Sequence, residues 1–198
     1  MPKVLTDLDI ETFRERLCDV AERMFAAHGP DGVTMRQLAA ELGVSSMTPY
    51  RYFKDKDAIL AAVRRRAFTR FADAMEKGWA EQEASGEGYT GRPYLDFALG
   101  NPAAYRMMFD TYQPTFHEYP DLLAAMERAR AMMAQGWRRL IESGKFSGDP
   151  ALAGHLHWSA LHGAVMLELG GLLRPPMDAR TLVGQTIEAL RQHLGIKS

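Results

Sequence analysis

Between Thr34 and Tyr52 two short helix-forming stretches are separated by little more than one glycine, and this punctuation narrows the folds open to the chain. Thr34-Met35-Arg36-Gln37 has the form of a capping box, in which the threonine hydroxyl and the glutamine amide satisfy the orphan N–H groups of a helix start. The stretch stops at Leu42-Gly43, where glycine can take the left-handed backbone of a C-cap. Ser45 is placed to cap a second stretch over about 45–52. Leu38, Ala39, Leu42 and Val44 supply an apolar inner face, and Ala39 is small where a neighbouring helix has to approach.

The rest of the chain is helical in its periodicity, with no convincing strand and no internal repeat. Phe13, Leu17, Val20, Met24 and Ala27 recur at helical spacing over about 8–28, ahead of a stop at His28-Gly29-Pro30. Asp55 can cap a long helix over about 55–83, with Ile59, Leu60, Val63, Ala67, Phe71 and Met75 on one face, and 83–91 reads as a loop. Further helices are expected near 92–100, 102–111, 120–143, 149–173 and 178–194. Asn101-Pro102, Pro120 and Asp149-Pro150 have the form of an N-cap or a first-turn proline. The predicted fold class is all-α, with a three-helix N-terminal head, a C-terminal helical bundle and about nine helices.

Composition sets the outer bounds. Of 198 residues, 46% are hydrophobic and 25% charged, the balance of a globular protein rather than a disordered one. The single cysteine, Cys18, excludes an intrachain disulfide and reads as a small buried apolar side chain. The first residues are charged and lack the apolar core of a secretory signal, and Leu156–Leu173 carries His157, His162 and Glu168, so it reads as a buried helix. These features predict a cytoplasmic protein with no membrane partner.

The formal net charge of −1 offers no global reason to bind nucleic acid, so any such surface has to be local. One exists. Residues 34–56 hold Arg36, Arg51, Lys54 and Lys56 against Glu41 and Asp55. The second stretch presents Ser45, Ser46, Met47, Thr48, Tyr50, Arg51 and Tyr52, a mixture suited to phosphates, base edges and thymine methyl groups. Two short helices about a tight glycine turn, carrying these groups, match a DNA-binding helix-turn-helix. Lys56 opens the next helix, where free N–H groups and the helix dipole also favour a phosphate.

Residues 12–60 resemble the DNA-binding domain of TetR-type (tetracycline-repressor-like) regulators: FAAHGPDGVT, then LAAELGVS, then MTPYRYFKDKDAIL, with Tyr50, Tyr52-Phe53 and Lys56 the most diagnostic part. The resemblance implies that Thr34 and Arg36 touch the backbone or groove edge, that Ser46, Met47 and Thr48 face base pairs, that Tyr50 and Tyr52 brace phosphates, and that Lys56 clamps one. Ser45 joins this set as the cap of the second helix. Arg51, from its chemistry alone, can take a guanine bidentately or a phosphate. Phe53 reads as core. Two positions depart from the pattern: Met47 stands where many members have glycine, and Pro49 removes a helical hydrogen bond, so an irregular helix start is expected.

A weaker resemblance reaches the body. Asn101–Phe109 (NPAAYRMMF) with Trp158–Gly163 (WSALHG) is similar to a Trp–His–Gly-type C-terminal domain of the same regulators. It implies an effector pocket and a two-fold helical dimer interface, hence a DNA-binding domain over 1–56 and a ligand-binding and dimerisation domain over 57–198. Candidate ligand-binding residues are Phe97, Tyr105, Met108, Phe109, Tyr112, Trp137, Trp158, His162 and Met166, although each also suits a core; His157 and Glu168 are further polar candidates. For dimerisation, Ala153, Ala160, Gly163, Ala164 and Leu167 offer one surface and Leu182, Val183, Ile187, Leu190 and Leu194 another.

The expected function is that of a sequence-specific transcriptional regulator, a homodimer on a palindromic double-stranded operator, acting as a repressor released by a small apolar or aromatic effector. No cofactor, metal or catalytic activity is expected, because no nucleophile–base pair, phosphate loop or carboxylate constellation stands out. The alternatives are a ligand-dependent activator and a helical metal-dependent enzyme using His157, His162 and Glu168. His155 and His157, two apart on a helix, diverge in direction and cannot chelate jointly without help.

Overall fold

The computed structural model describes residues 6–85, 91–109 and 118–193, and among these every regular element is helical. Eight α-helices run in the order α1 (Asp7–His28), α2 (Met35–Glu41), α3 (Lys56–Ser85), α4 (Arg92–Gly100), α5 (Pro102–Phe109), α6 (Pro120–Glu142), α7 (Pro150–Leu169) and α8 (Ala179–His193), with one 3-10 turn at Pro49–Arg51 between α2 and α3. Short-range chemistry explains most of the boundaries. Thr34 and Gln37 form the capping box, with Gln37 N–H donating to the threonine hydroxyl at 3.3 Å. Thr6 and Asp9 form a second box at the start of α1. Asp55 accepts from Ala58 N–H at 2.8 Å, Asp149 from Ala151 N–H at 2.8 Å, and Asp178 from Thr181 N–H at 2.7 Å. Gly43 ends the α2 turn with φ of 67°, a backbone that a Cβ would strain.

Three expectations change. The helix expected over 45–52 is instead a turn followed by a single 3-10 element. Thr48 N–H bonds the Ser45 carbonyl at 2.9 Å, Arg51 N–H that of Thr48 at 3.1 Å and Tyr52 N–H that of Pro49 at 3.0 Å, all with i to i+3 spacing. Pro49 has no N–H to give the Ser45 carbonyl, so no α-helix runs through 45–49, and the one wider closure is Phe53 N–H on the Pro49 carbonyl at 3.0 Å. Ser45 caps nothing longer than this turn; its Oγ accepts from Met47 N–H at 3.3 Å. The helix expected to run to 173 stops at Leu169, because Gly170 and Gly171 (φ 67°) turn the chain out of it. Asn101, expected to open α5, closes α4: its backbone N–H and its Nδ2 both donate to the Phe97 carbonyl, at 2.9 and 3.0 Å.

The chain folds as two compact units. The first comprises the described residues up to Phe68 and within Ala103–Ala124. Its core joins α1 (Leu17, Val20, Ala21, Phe25), α2 (Met35, Leu38) and the start of α3 (Ile59, Leu60, Val63) around Phe53, with Met107 of α5 added. Cys18 belongs to this core, and burial pushes its thiol up despite the neighbouring Arg66 cation. The Lys56 ammonium donates to the Pro30 carbonyl at 2.7 Å and ties the start of α3 to the α1–α2 connection. Arg64 is fully buried and donates to the Met108 carbonyl at 2.6 Å.

The second unit comprises the described residues of Thr69–Pro102 and from Ala125 onward. Phe71 of α3 meets Tyr94 and Phe97 of α4 edge-on, at centroid distances of 5.3 Å for both. Gly78 allows this approach, since a Cβ there would lie 2.5 Å from the Pro93 ring. Arg128 of α6 binds Asp73 at 2.6 Å and Glu76 at 2.8 Å on α3, and Arg139 binds Glu83 at 2.7 Å. Trp137 packs on Phe146 and on His157 of α7. Glu168 accepts from Ala179 N–H and so caps α8 from the end of α7.

Two stability predictions come from these packings. Lys56→Met keeps the apolar stem but leaves the Pro30 carbonyl without its cationic donor, so it should destabilise the DNA-free protein by about 1–2 kcal/mol in denaturant unfolding. His157 is held neutral in the folded chain, its imidazole pushed down to about 4 by burial and by the Arg191 cation. The unfolded chain therefore binds the extra proton between pH ~4 and ~6.5, and the folded state loses on the order of 3 kcal/mol as pH falls through that window. Thermal unfolding of a His157→Leu variant should show a flatter pH dependence there, and parallel curves would disprove the assignment.

Candidate nucleic-acid interface

Most of the residues expected to contact DNA lie on the surface of the first unit. Thr34, Arg36, Ser45, Ser46, Met47, Tyr50 and Arg51 are exposed, Met47 at 66% and Tyr50 at 49%, whereas Thr48, Tyr52 and Lys56 are half-buried. Phe53 is buried in the core beneath them. The surface is therefore a short polar and aromatic turn standing on an apolar floor. Met47 is a large apolar side chain held out in solvent.

Three of these residues carry duties within the fold, and of these the sequence motif pointed only to the capping box of Thr34. The Lys56 ammonium is occupied by the Pro30 carbonyl, so its contact to a phosphate would have to be shared or exchanged. The Thr34 hydroxyl is engaged in the capping box, donating to Gln37 Oε1 at 2.7 Å. Tyr52 lies with its ring stacked on Phe13 of α1, centroids 4.2 Å apart and planes at 26°. Its carbonyl accepts from Arg14 Nη1 at 2.6 Å, and the same guanidinium lies 4.2 Å from the centroid of Phe53. Helical spacing puts Phe13 on the apolar stripe of α1 but gives Arg14 no role, since nothing local links position 14 to position 52. Beside these groups, α1, Tyr52–Lys54 and the first residues of α6 border an open cleft of about 570 Å³.

The candidate ligand-binding residues do not gather in one unit. Tyr105, Met108 and Phe109 belong to the first, where Phe109 meets Tyr105 at 4.9 Å and Phe68 at 6.0 Å. Phe97, Trp137, Trp158, His162 and Met166 belong to the second. There Phe97 and Trp137 are buried, Met166 is 42% exposed, and Trp158 donates from Nε1 to Tyr94 Oη at 3.2 Å. His162 lies 5.7 Å from the Trp158 ring, and burial lowers its basicity. Tyr112 lies outside the described residues, as does Leu194 of the dimer set. Of that set, Ala153, Ala164 and Val183 are buried within the subunit, and Leu167 is exposed.

The histidines do not converge: His155 Nδ1 bonds the Ala151 carbonyl, His157 turns to Trp137 and His162 to Trp158. Among the described residues no group of three or more His, Cys, Asp or Glu is arranged to hold a metal ion. No helix among them is long and apolar enough to cross a membrane.

Comparison with known proteins agrees with the head and the body. The family model for bacterial regulatory proteins of the tetR family matches residues 17–63, and that for the tetracyclin repressor-like C-terminal domain matches residues 89–190. The HTH-type transcriptional regulator Rv1816 of Mycobacterium tuberculosis is 21% identical over 81% of this chain and 82% of its own length. A protein of unknown function from Rhodococcus sp. RHA1 shares the fold at a TM-score of 0.76, with 23% identity over 98% of this chain and 99% of that one. The regulator FadR from Bacillus subtilis, solved in complex with stearoyl-CoA, superposes at 0.68, with 19% identity over 92% and 99%. The models cover most of the chain and describe regulators rather than enzymes, and the chain belongs to the tetR family of helix-turn-helix transcriptional regulators.

Proposed function

We propose that this regulator binds a palindromic double-stranded operator as a homodimer in the cytoplasm and represses until a small apolar or aromatic effector releases it. In this reading residues 1–56 are the DNA-binding domain and 57–198 the ligand-binding and dimerisation domain. The observation that carries it is the exposed row Ser45, Ser46, Met47, Tyr50 and Arg51, with Arg36 nearby in sequence on α2. Hydroxyls and guanidinium groups there suit phosphates and base edges, and Met47 suits a thymine methyl. Thr34, Thr48, Tyr52 and Lys56 complete the contact set.

A single head of this size reads few base pairs, and two heads on half-sites about one helical turn (~34 Å) apart multiply affinity and specificity. For the dimer surface, Leu152, Leu156, Met166 and Leu167 leave apolar area exposed along α7. They recur at spacings of four, ten and one, which fall on one broad helical face, as an interface between two copies requires. The effector would act from the body through α3, a continuous 30-residue helix that contributes to both units. Opposed binding of effector and operator is then reciprocal, each weakening the other by one factor.

A paired Arg36→Ala/Arg51→Ala substitution should weaken operator binding roughly ten- to hundredfold at near-physiological salt and lower the slope of log affinity against log salt by up to about 2. Both side chains are exposed, so the melting temperature should stay close to wild type. Binding isotherms at several salt concentrations, on an operator selected from a random DNA library, read the result. An unchanged affinity would remove this contact set, and a saturating effector that leaves operator affinity unchanged would remove the release model.

A further inference from the structure

We propose that Arg14, a residue of α1 outside the recognition segment, is a positioning residue that fixes the C-terminal end of the DNA-reading turn. The proposal rests on residues 45–52 being the reading surface. That turn is poorly determined by its own backbone. It holds one 3-10 element of three residues, with Pro49 at its start, three ring closures of i to i+3 and one of i to i+4, Phe53 N–H to the Pro49 carbonyl. Such turns have poorer hydrogen-bond geometry than an α-helix and rarely persist without outside support.

The support comes from two successive residues of α1 acting on two successive residues of the turn's exit. Arg14 Nη1 reaches the Tyr52 carbonyl at 2.6 Å, the short distance of a charge-assisted bond. The planar guanidinium also lies 4.2 Å from the Phe53 ring centroid, so one side chain holds the carbonyl of residue 52 and faces the ring of residue 53. Phe13 stacks on the Tyr52 ring at 4.2 Å. The remaining ionic neighbour, Glu11, stands 3.9 Å away and largely exposed, and pairs of that kind contribute little. The Arg14 guanidinium is thus committed to the fold, and it acts on DNA through the placement of Tyr50, Arg51 and Tyr52.

The test separates positioning from a phosphate contact and from bulk stability. In the DNA-free chain, Arg14→Gln should speed hydrogen exchange at the Tyr52 and Phe53 amides, both bonded to the Pro49 carbonyl, by roughly tenfold, with α7 and α8 unchanged. Operator affinity should fall roughly tenfold, binding to random-sequence DNA should hold, and the salt slope should keep its wild-type value. Arg14→Lys retains a cationic donor but not the plane over Phe53, and should recover part of both effects. It also carries the test if the glutamine variant does not fold.

A salt slope lowered by about 1 in Arg14→Gln would make Arg14 a phosphate contact and overturn the proposal. Unchanged exchange, or faster exchange with unchanged operator affinity, would also overturn it. A wild-type chain that selects no operator would instead remove the DNA-reading assignment of 45–52, an outcome distinct from a normal wild-type operator with an indifferent Arg14 variant.

Discussion

Pro49 has no N–H to give the Ser45 carbonyl, so the turn proposed to read DNA depends on the packing beneath it more than on a helical ladder of its own. The ring of Pro49 is buried, so the residue that prevents a full helix also anchors the turn to the core. Below it, Leu38 of α2, Leu17 of α1 and Leu60 of α3 pack as one cluster with Phe53. Each such side chain contributes about 1.5–3 kcal/mol of burial, more than any single hydrogen bond of the turn above it at about 0.5–1.5 kcal/mol. Side ties then set the edges: Val44 N–H to the Ala39 carbonyl at 3.0 Å, Lys56 to Pro30, and Arg14 to Tyr52. The proposed reading surface is held by these surroundings, with few backbone bonds of its own.

What the sequence made legible follows from the range of the interactions concerned. Thr34 with Gln37, Asp55 with Ala58, Asp149 with Ala151 and the turn at Gly43 are contacts within three residues, and pattern reasoning finds such contacts directly. The all-helical class was legible for the same reason, since helical periodicity is local. The exits of the reading turn were not. Arg14 and Tyr52 are 38 residues apart, Lys56 and Pro30 are 26 apart, and only the packed head shows which carbonyl each cation meets. Glu168 illustrates the same limit in the body. A lone carboxylate on an apolar helix invites a ligand role, yet the chain turns at Gly170 and Gly171 and delivers the Ala179 N–H to it.

The overall charge of −1 proved a poor guide because acids and bases are distributed unequally by use. In the second unit Asp73, Glu76, Glu83 and Asp96 are each paired with an arginine: Arg128 takes the first two, Arg139 the third and Arg180 the last, at 2.6–2.8 Å. Exposed pairs of this kind add little to stability, but they cancel charge locally. The head keeps Arg36, Arg51 and Lys54 on its surface, where a Debye length of about 8 Å confines the relevant field to the nearest groups. A near-neutral chain can therefore carry a locally cationic face.

Polar groups in the second unit are mostly answered from within. Trp158 donates to Tyr94, Glu168 accepts from Ala179 and Thr186 bonds the Leu182 carbonyl. His157 departs from this, with a buried Nε2 that finds no hydrogen-bond partner among the described residues, beside the Trp137 ring. Burial favours its neutral form, which presents one donor and one acceptor nitrogen and no charge. Aromatic and thioether side chains, with imidazoles at His157 and His162 whose basicity burial lowers, are the groups of this unit on which the proposed apolar or aromatic effector rests.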